Sequence, residues 1–287
     1  MSQHYLKHLF QPRAVAVFGA SERPESVGGR ILANLRQGDF AGPVYAINPK
    51  HQEVDGHPCY ASIGVVPGPV DLAVIATPGP TVPDVLRACG EYGVRAAIII
   101  TAGFGETGDA GKALEAEVLA IVRQYRMRLI GPNCLGLMRP SLGLNATFSK
   151  SEAQPGGLAL VSQSGALCTA IVDWAQAHAL GFSAVVSTGA AVDVDFGDVL
   201  DYLAQDPETQ SILLYVEGVR HARSFMSGLR AAGRRGARAQ HRAAVFRRAV
   251  AGQPLPHRRQ APVHHHQRRW PRRDGHGPRR RSGPGFC

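Results

Sequence analysis

Short apolar runs alternate with helix-length segments through the first 230 residues, the pattern of βαβ units and a parallel sheet. Residues 14–18 (Ala-Val-Ala-Val-Phe) read as a buried strand ending in Gly19-Ala20-Ser21, and a helix pattern follows from Val27 to Gln37. Further strands are predicted over 44–47, 71–76, 96–100 and 128–130. The run at 96–100 is apolar on both faces, as a central parallel strand requires. Helices are predicted to open at Thr81-Val82-Pro83-Asp84 and to run from 109 to 125. Five strands with crossover helices make a Rossmann-like first domain, assigned to residues 1–138.

Residues 139–157 contain Pro140, Pro155, Gly156 and Gly157 and are read as a linker. A second α/β series follows over residues 158–232. Its strands are placed at 158–161, 183–186 and 212–216, its helices at 165–179, 198–204 and 222–232. Three parallel strands make a small sheet, since such sheets need both faces covered. The second domain is therefore expected to be truncated.

Composition separates the remainder. The chain has 287 residues, 44% apolar and 19% charged, enough for two domains with cores. Its net charge of +10 is uneven: 15 of the 32 basic residues follow residue 230, against the single acid Asp274. The preceding residues carry a net negative charge, so a nucleic-acid reading would rest on the tail alone. After residue 230 the chain has no Lys, Glu, Ile, Asn, Thr, Tyr or Met. Residues 233–287 are expected to be disordered. No apolar stretch reaches the roughly 20 residues of a membrane span, and the first residues do not resemble a secretory leader. Five scattered cysteines suggest neither a disulfide framework nor a metal pair. A cytoplasmic location fits them.

Candidate chemistry gathers at the predicted strand ends, where open α/β sheets bind ligands. Gly19, Ala20 and Ser21, followed by Val27, Gly28 and Gly29, can bring backbone close to a pyrophosphate at a helix N-terminus. A tight turn without a ligand is the alternative. The second strand ends in Asn48-Pro49-Lys50 rather than the acid a NAD site expects. Lys50 suits the phosphorylated ribose of CoA or NADP, or is simply a solvated lysine. Thr77-Pro78, Thr101-Ala102-Gly103-Phe104-Gly105-Glu106 and Gly131-Pro132-Asn133-Cys134-Leu135-Gly136 continue the series, suggesting one extended groove. Cys134 reads as a small buried apolar residue rather than a reactive thiol. In the second domain Ser162-Gln163-Ser164-Gly165 forms a strand-to-helix turn, either an anion site or an ordinary cap. Asp193, Asp195 and Asp198 read as caps and loop carboxylates in preference to metal ligands.

These motifs, in this order over residues 6–230, resemble the NDP-forming acyl-CoA synthetases. That superfamily includes ADP-forming acetyl-CoA synthetase, the succinyl-CoA synthetase α subunit and the synthetase-like part of bacterial GNAT-fused protein lysine acetyltransferases. The resemblance implies a CoA-binding Rossmann-like domain followed by a flavodoxin-like one. It implies that Gly19–Ser21, Lys50, Thr77, Pro78, Asn133 and Cys134 surround CoA or an acyl-CoA. It also implies that Ser162–Gly165 holds the phosphate of a phosphohistidine and that Glu217 orients that histidine.

The family's Ser-His-Thr-Gly segment does not occur in the sequence, and ATP or ADP belongs to an ATP-grasp domain of the complete architecture. The expected function is thus CoA binding by a truncated acyl-CoA ligase of ADP-forming type without ligase turnover. A separate ATP-grasp or GNAT chain is a possible partner. A regulatory module of a lysine acetyltransferase and a NADP-dependent oxidoreductase are the alternatives, and no Tyr-x-x-x-Lys pair supports the latter. The tail has its own reading. Plausible codons for residues 264–283, read one base on, give Ile-Ile-Thr-Asn-Gly-Gly-Gly-Pro-Gly-Val-Met-Ala-Thr-Asp, a strand, a glycine turn and a helix start. A frameshift after residue 230 is expected, ahead of a basic arm or a His264–His266 metal site.

Overall fold

Uninterrupted apolar residues at Val15–Phe18 form β1, buried on both faces at the middle of a parallel sheet. Its neighbours are β2 (Val44–Ile47) and, across the other edge, β5 (Leu72–Ile75), both parallel to it. The sheet is completed by β3 (Glu53–Val54), β4 (His57–Tyr60), β6 (Ala96–Ile99) and β7 (Arg128–Ile130). In this computed structural model, which describes residues 4–23, 25–236 and 242–247, the order is β3-β4-β2-β1-β5-β6-β7. Leaving aside the antiparallel β3, the six parallel strands follow the 3-2-1-4-5-6 order of a dinucleotide-binding sheet. Helices α1 (Lys7–Phe10), α2 (Val27–Gln37), α3 (Val82–Tyr92) and α4 (Asp109–Gln124) accompany it. The β3–β4 hairpin was not anticipated. Its residues His57-Pro58-Cys59-Tyr60 alternate too weakly, and proline demotes the run as a strand.

The second sheet is larger than the sequence suggested. Its members are β8 (Gly136–Arg139), β9 (Leu144–Thr147), β10 (Pro155–Ser162), β11 (Phe182–Ser187), β12 (Ser211–Val216) and β13 (Arg242–Arg247). They are ordered β13-β12-β10-β11-β8-β9, with helices α5 (Gly165–Ala177), α6 (Phe196–Gln205) and α7 (Ala222–Gly236). The predicted linker over 139–157 is therefore corrected. It holds most of an antiparallel hairpin, β8–β9, whose strand residues are all buried, and the start of β10. Gly136, Arg139, Asn145 and Thr147 look like turn residues, yet each is buried; Thr147 Oγ1 bonds Asn145 Oδ1 at 2.7 Å.

Within the residues assigned to the tail, α7 runs on to Gly236 and residues 242–247 pair in parallel with β12 along its whole length; with β8 and β9 this makes six strands in the described sheet where three were predicted. Arginine content hid the apolar run Ala243-Ala244-Val245-Phe246. The rest of the frameshift reading, with His241 and His264–His266, falls outside the described residues. No described helix is long and apolar enough to cross a membrane.

The two sheets belong to one compact unit and share a core, in which Val15, Leu32 and Ile98 join Leu137, Ala159 and Leu200. Asn34 on α2 donates to the carbonyls of Thr147 and Ser149 at 2.8 and 2.9 Å, tying α2 to the end of β9 and the residues after it. Residues 190–194 hydrogen-bond alongside β7: Ala190 N to Pro132 O at 2.9 Å and Val194 N to Leu129 O at 3.1 Å. The three aspartates of this stretch have structural work. Asp193 accepts from Arg128 Nε and Leu129 N, both at 2.9 Å, and Asp195 caps α6 in a reciprocal box with Asp198. Also at the amino ends of the strands, hydrogen bonds from Arg13 hold the buried Asp71 carboxyl below the usual carboxylate range against the effect of burial.

Candidate functional site

The reversal of strand order between β1 and β5 opens a crevice at their carboxyl ends. Gly19 turns there with φ +86°, and a Cβ on it would lie 2.9 Å from the Ala76 carbonyl oxygen. A Cβ at Gly28 would lie 2.0 Å from the carbonyl oxygen of Gly19, so only glycine lets α2 start this close to the turn. Ser26 caps the helix by accepting from Gly29 N at 3.1 Å. Asn48 donates to Ala20 O at 2.7 Å and accepts from Lys50 N at 3.0 Å, binding the end of β2 to the glycine turn. Lys50 itself is exposed. Ala20 and Ser21 are buried, and Ser21 Oγ accepts from Arg23 N at 3.2 Å.

Beyond this turn lies a cavity of about 680 Å³. One wall comes from the strand ends: Thr77 and Pro78 after β5, Thr101 and Ala102 after β6, Asn133 and Cys134 after β7. The other wall is Gly165, Ala166 and Thr169 on the first turns of α5, with Val27 and Phe148 at the sides. Thr101 Oγ1 donates to Thr77 O at 2.6 Å and Asn133 N to Thr101 O at 3.0 Å, stitching three strand ends together. Cys134 is buried with Sγ 3.3 Å from Ile99 O; burial pushes its thiol up to about 12, so it stays protonated at neutral pH.

The Ser162–Gly165 turn forms the head of α5. Ser162 Oγ bridges Ser164 O and Ser164 N, each at 3.0 Å, and Ser164 caps the helix through Leu167 N. Gln163 Oε1 accepts from Glu217 N at 2.8 Å and Gly218 N at 3.0 Å, so the ends of β10 and β12 are held together. A second cavity, about 500 Å³, is lined by Gln163, Glu217, Glu106, Lys112 and Arg220. Asn133 lines both cavities, which makes it their junction.

Among the residues singled out in the sequence, Val27, Thr77, Pro78, Thr101, Ala102, Asn133, Cys134 and Gly165 meet at the larger cavity. Gly19, Ala20, Ser21, Gly28 and Asn48 form the turn beside it, Asn48 through its side chain, and Gly103 N bonds Glu106; these residues, like Lys50, Ser162 and Ser164, line neither cavity. Gln163 and Glu217 meet at the smaller one. Sequence reasoning missed Phe148 and Thr169, and read Ala166 only as the end of the serine turn. Ala166 and Thr169 follow the serine turn at helical spacing and could have been found by asking which face of α5 meets the strand ends. Phe148 carries no such signal.

The CoA binding domain family matches residues 13–140, and the succinyl-CoA ligase like flavodoxin domain family matches residues 155–238. The chain is 44% identical over 230 residues to an ADP-forming acetate–CoA ligase of Archaeoglobus fulgidus, covering 80% of this chain and 33% of that protein. It is also 44% identical to the α subunit of a Pyrococcus furiosus ADP-forming acetate–CoA ligase, covering 77% of this chain and 48% of that one. Among solved structures it resembles the Candidatus Korarchaeum cryptofilum acetyl-coenzyme A synthetase 1 crystallised with phosphate and ADP. There the TM-score is 0.79 at 39% identity, over 84% of this chain and 51% of that chain. The chain thus spans a third to a half of the length of these curated relatives.

Proposed function

Because the chain belongs to the NDP-forming acyl-CoA synthetase superfamily, through a CoA-binding domain and a succinyl-CoA ligase-like flavodoxin domain, we propose that it holds CoA or an acyl-CoA along the strand ends of its first sheet. The observation that carries this reading is the 680 Å³ cavity beside the β1–β5 reversal, walled by Thr77, Thr101 and Asn133 on one side and by the head of α5 on the other. The Gly19 turn and the start of α2 suit a diphosphate, whose charge the helix dipole and free N–H groups favour. The cavity beyond is walled by Val27, Leu135, Phe148 and Ala166 among hydroxyls and an amide, which suits a long chain of mixed polarity.

The Ser162–Gly165 turn is the proposed phosphate site, since α5 begins there facing the same cavity. Glu217, on the rim of the second cavity, is the carboxylate proposed to orient the phosphoryl-carrying histidine of the complete ligases. In that reaction acyl-CoA, phosphate and ADP become acyl acid, CoA and ATP. The part proposed for this chain is to bind the thioester and to present it to the phosphate turn. A chain carrying an ATP-grasp or GNAT domain is the proposed partner.

Calorimetry on the full chain tests the reading. CoA should bind with a dissociation constant of about 1–100 μM, and NADPH at least about 100-fold more weakly, a gap of about 2.7 kcal/mol. No heat with CoA, or equal affinity for NADPH, would contradict it.

A further inference from the structure

Glu106 sits in the short 3-10 turn Gly105–Thr107 after β6, and its carboxylate joins two loops. Oε1 accepts from Gly103 N at 2.7 Å and from Asn133 Nδ2 at 3.3 Å, while Oε2 accepts from Phe104 N at 3.2 Å. Burial pushes this carboxyl up, but the backbone N–H groups of Gly103, Glu106 and Phe104 outweigh it and hold it below its ordinary value. Glu106 is therefore ionised at neutral pH. An ionised carboxylate only accepts hydrogen bonds, so the nitrogen of the Asn133 carboxamide must face it.

The backbone of Asn133 is fixed as well. Its N–H bonds Thr101 O at 3.0 Å, and its φ of +55° lies in the left-handed region that asparagine tolerates. With Nδ2 committed, Oδ1 is the free end of the carboxamide and has no partner among the described residues.

We propose that Glu106 is a positioning residue that locks Asn133 with Oδ1 as an acceptor where the two cavities meet, so that the ligand group seated there is a hydrogen-bond donor. This rests on the CoA reading and refines it. Within CoA the amide N–H groups, hydroxyl and thiol of the pantetheine arm are such donors, as are the ribose 2′-hydroxyl and adenine amino group of the nucleotide, whereas the diphosphate has none. With the nucleotide and diphosphate placed at the glycine turn, the pantetheine arm is the donor-bearing part assigned to the junction.

The test compares CoA with 3′-phosphoadenosine 5′-diphosphate, which lacks the arm, on the full-length protein. Glu106→Ala and Asn133→Ala should each weaken CoA about five- to tenfold, the worth of one ligand hydrogen bond. The double variant should be no worse than either single one, because both remove the same contact. Glu106→Gln keeps the size of the side chain but lets the carboxamide flip, and should give a partial loss of about two- to threefold. Binding of the arm-less nucleotide should stay within about twofold throughout. CoA binding by Glu106→Ala equal to that of the parent, multiplying losses in the double variant, or equal losses for both nucleotides would overturn the assignment. Failure of the parent protein itself to bind CoA would instead remove the reading beneath it.

Discussion

Replacing Gly28 with valine is expected to destabilise the protein by about 3 kcal/mol and to weaken CoA at least about tenfold. The side chain has nowhere to go. A Cβ at this position would lie 2.0 Å from the carbonyl oxygen of Gly19, a backbone atom that cannot rotate away. Gly19 is itself held between β1 and Ala76, its N–H bonded to Ile47 O at 3.0 Å. The start of α2 must then lift off the turn. This separates the helix N-terminus from the place where the diphosphate is proposed to sit, so stability and affinity fall together. Gly64→Ala is the matched control. It also lies in a short helical turn, but its Cβ would meet only Ser62 Oγ, at 3.8 Å, and the change should stay within about 0.5 kcal/mol. Urea denaturation and CoA calorimetry on both variants decide the matter. A Gly28→Val protein with parental CoA affinity would mean that the helix start takes no part in binding.

Asp206→Ala is the second large effect, expected to cost about 3 kcal/mol. Arg139 on β8 and Asp206 after α6 are each 1% exposed and 3.3 Å apart, an ion pair taken almost wholly out of water. Asp206 also accepts from Thr209 Oγ1 at 2.7 Å, and Arg139 reaches Tyr202 OH and the half-exposed Glu208. The guanidinium is already incompletely served, because its Nε has no partner among the described residues. Removing the aspartate leaves the buried guanidinium with only the half-exposed Glu208 as counter-charge, which is why the loss should be severe. Replacing both members, Arg139→Met with Asp206→Leu, should recover most of the stability, since no charge is then buried. Chemical denaturation of the three proteins measures this. A single variant as stable as its parent would show that the hairpin β8–β9 does not depend on this tie.

Much of the first sheet was legible because its strands are buried on both faces and read as continuous apolar runs: Val15–Phe18, Leu72–Ile75 and Ala96–Ile99 all fell where expected. The helices α2 and α4 carried their own period and lie where the sequence placed them, within a residue. What escaped was structure whose side chains do not advertise it. The buried faces of β8 and β9 include Arg139, whose partner Asp206 lies 67 residues away, Thr147, whose carbonyl is met by Asn34 113 residues away, and Asn145, whose side chain bonds that of Thr147. No local pattern announces such partners. β13 escaped because composition was read over the whole tail, where a four-residue apolar run is diluted by arginine. In the site, glycines and strand-end hydroxyls were visible as motifs. The link between Glu106 and Asn133 was not, because it depends on two loops meeting 27 residues apart.

A crystal structure of the full chain grown with CoA tests the central claim most directly. The diphosphate is predicted over the Gly19–Ser21 turn and the first turn of α2. The arm should run past Thr77 and Thr101 to a hydrogen bond with Asn133 Oδ1. Electron density for CoA elsewhere on the molecule, or a crest filled by the protein's own side chains with CoA present in excess, would contradict the account.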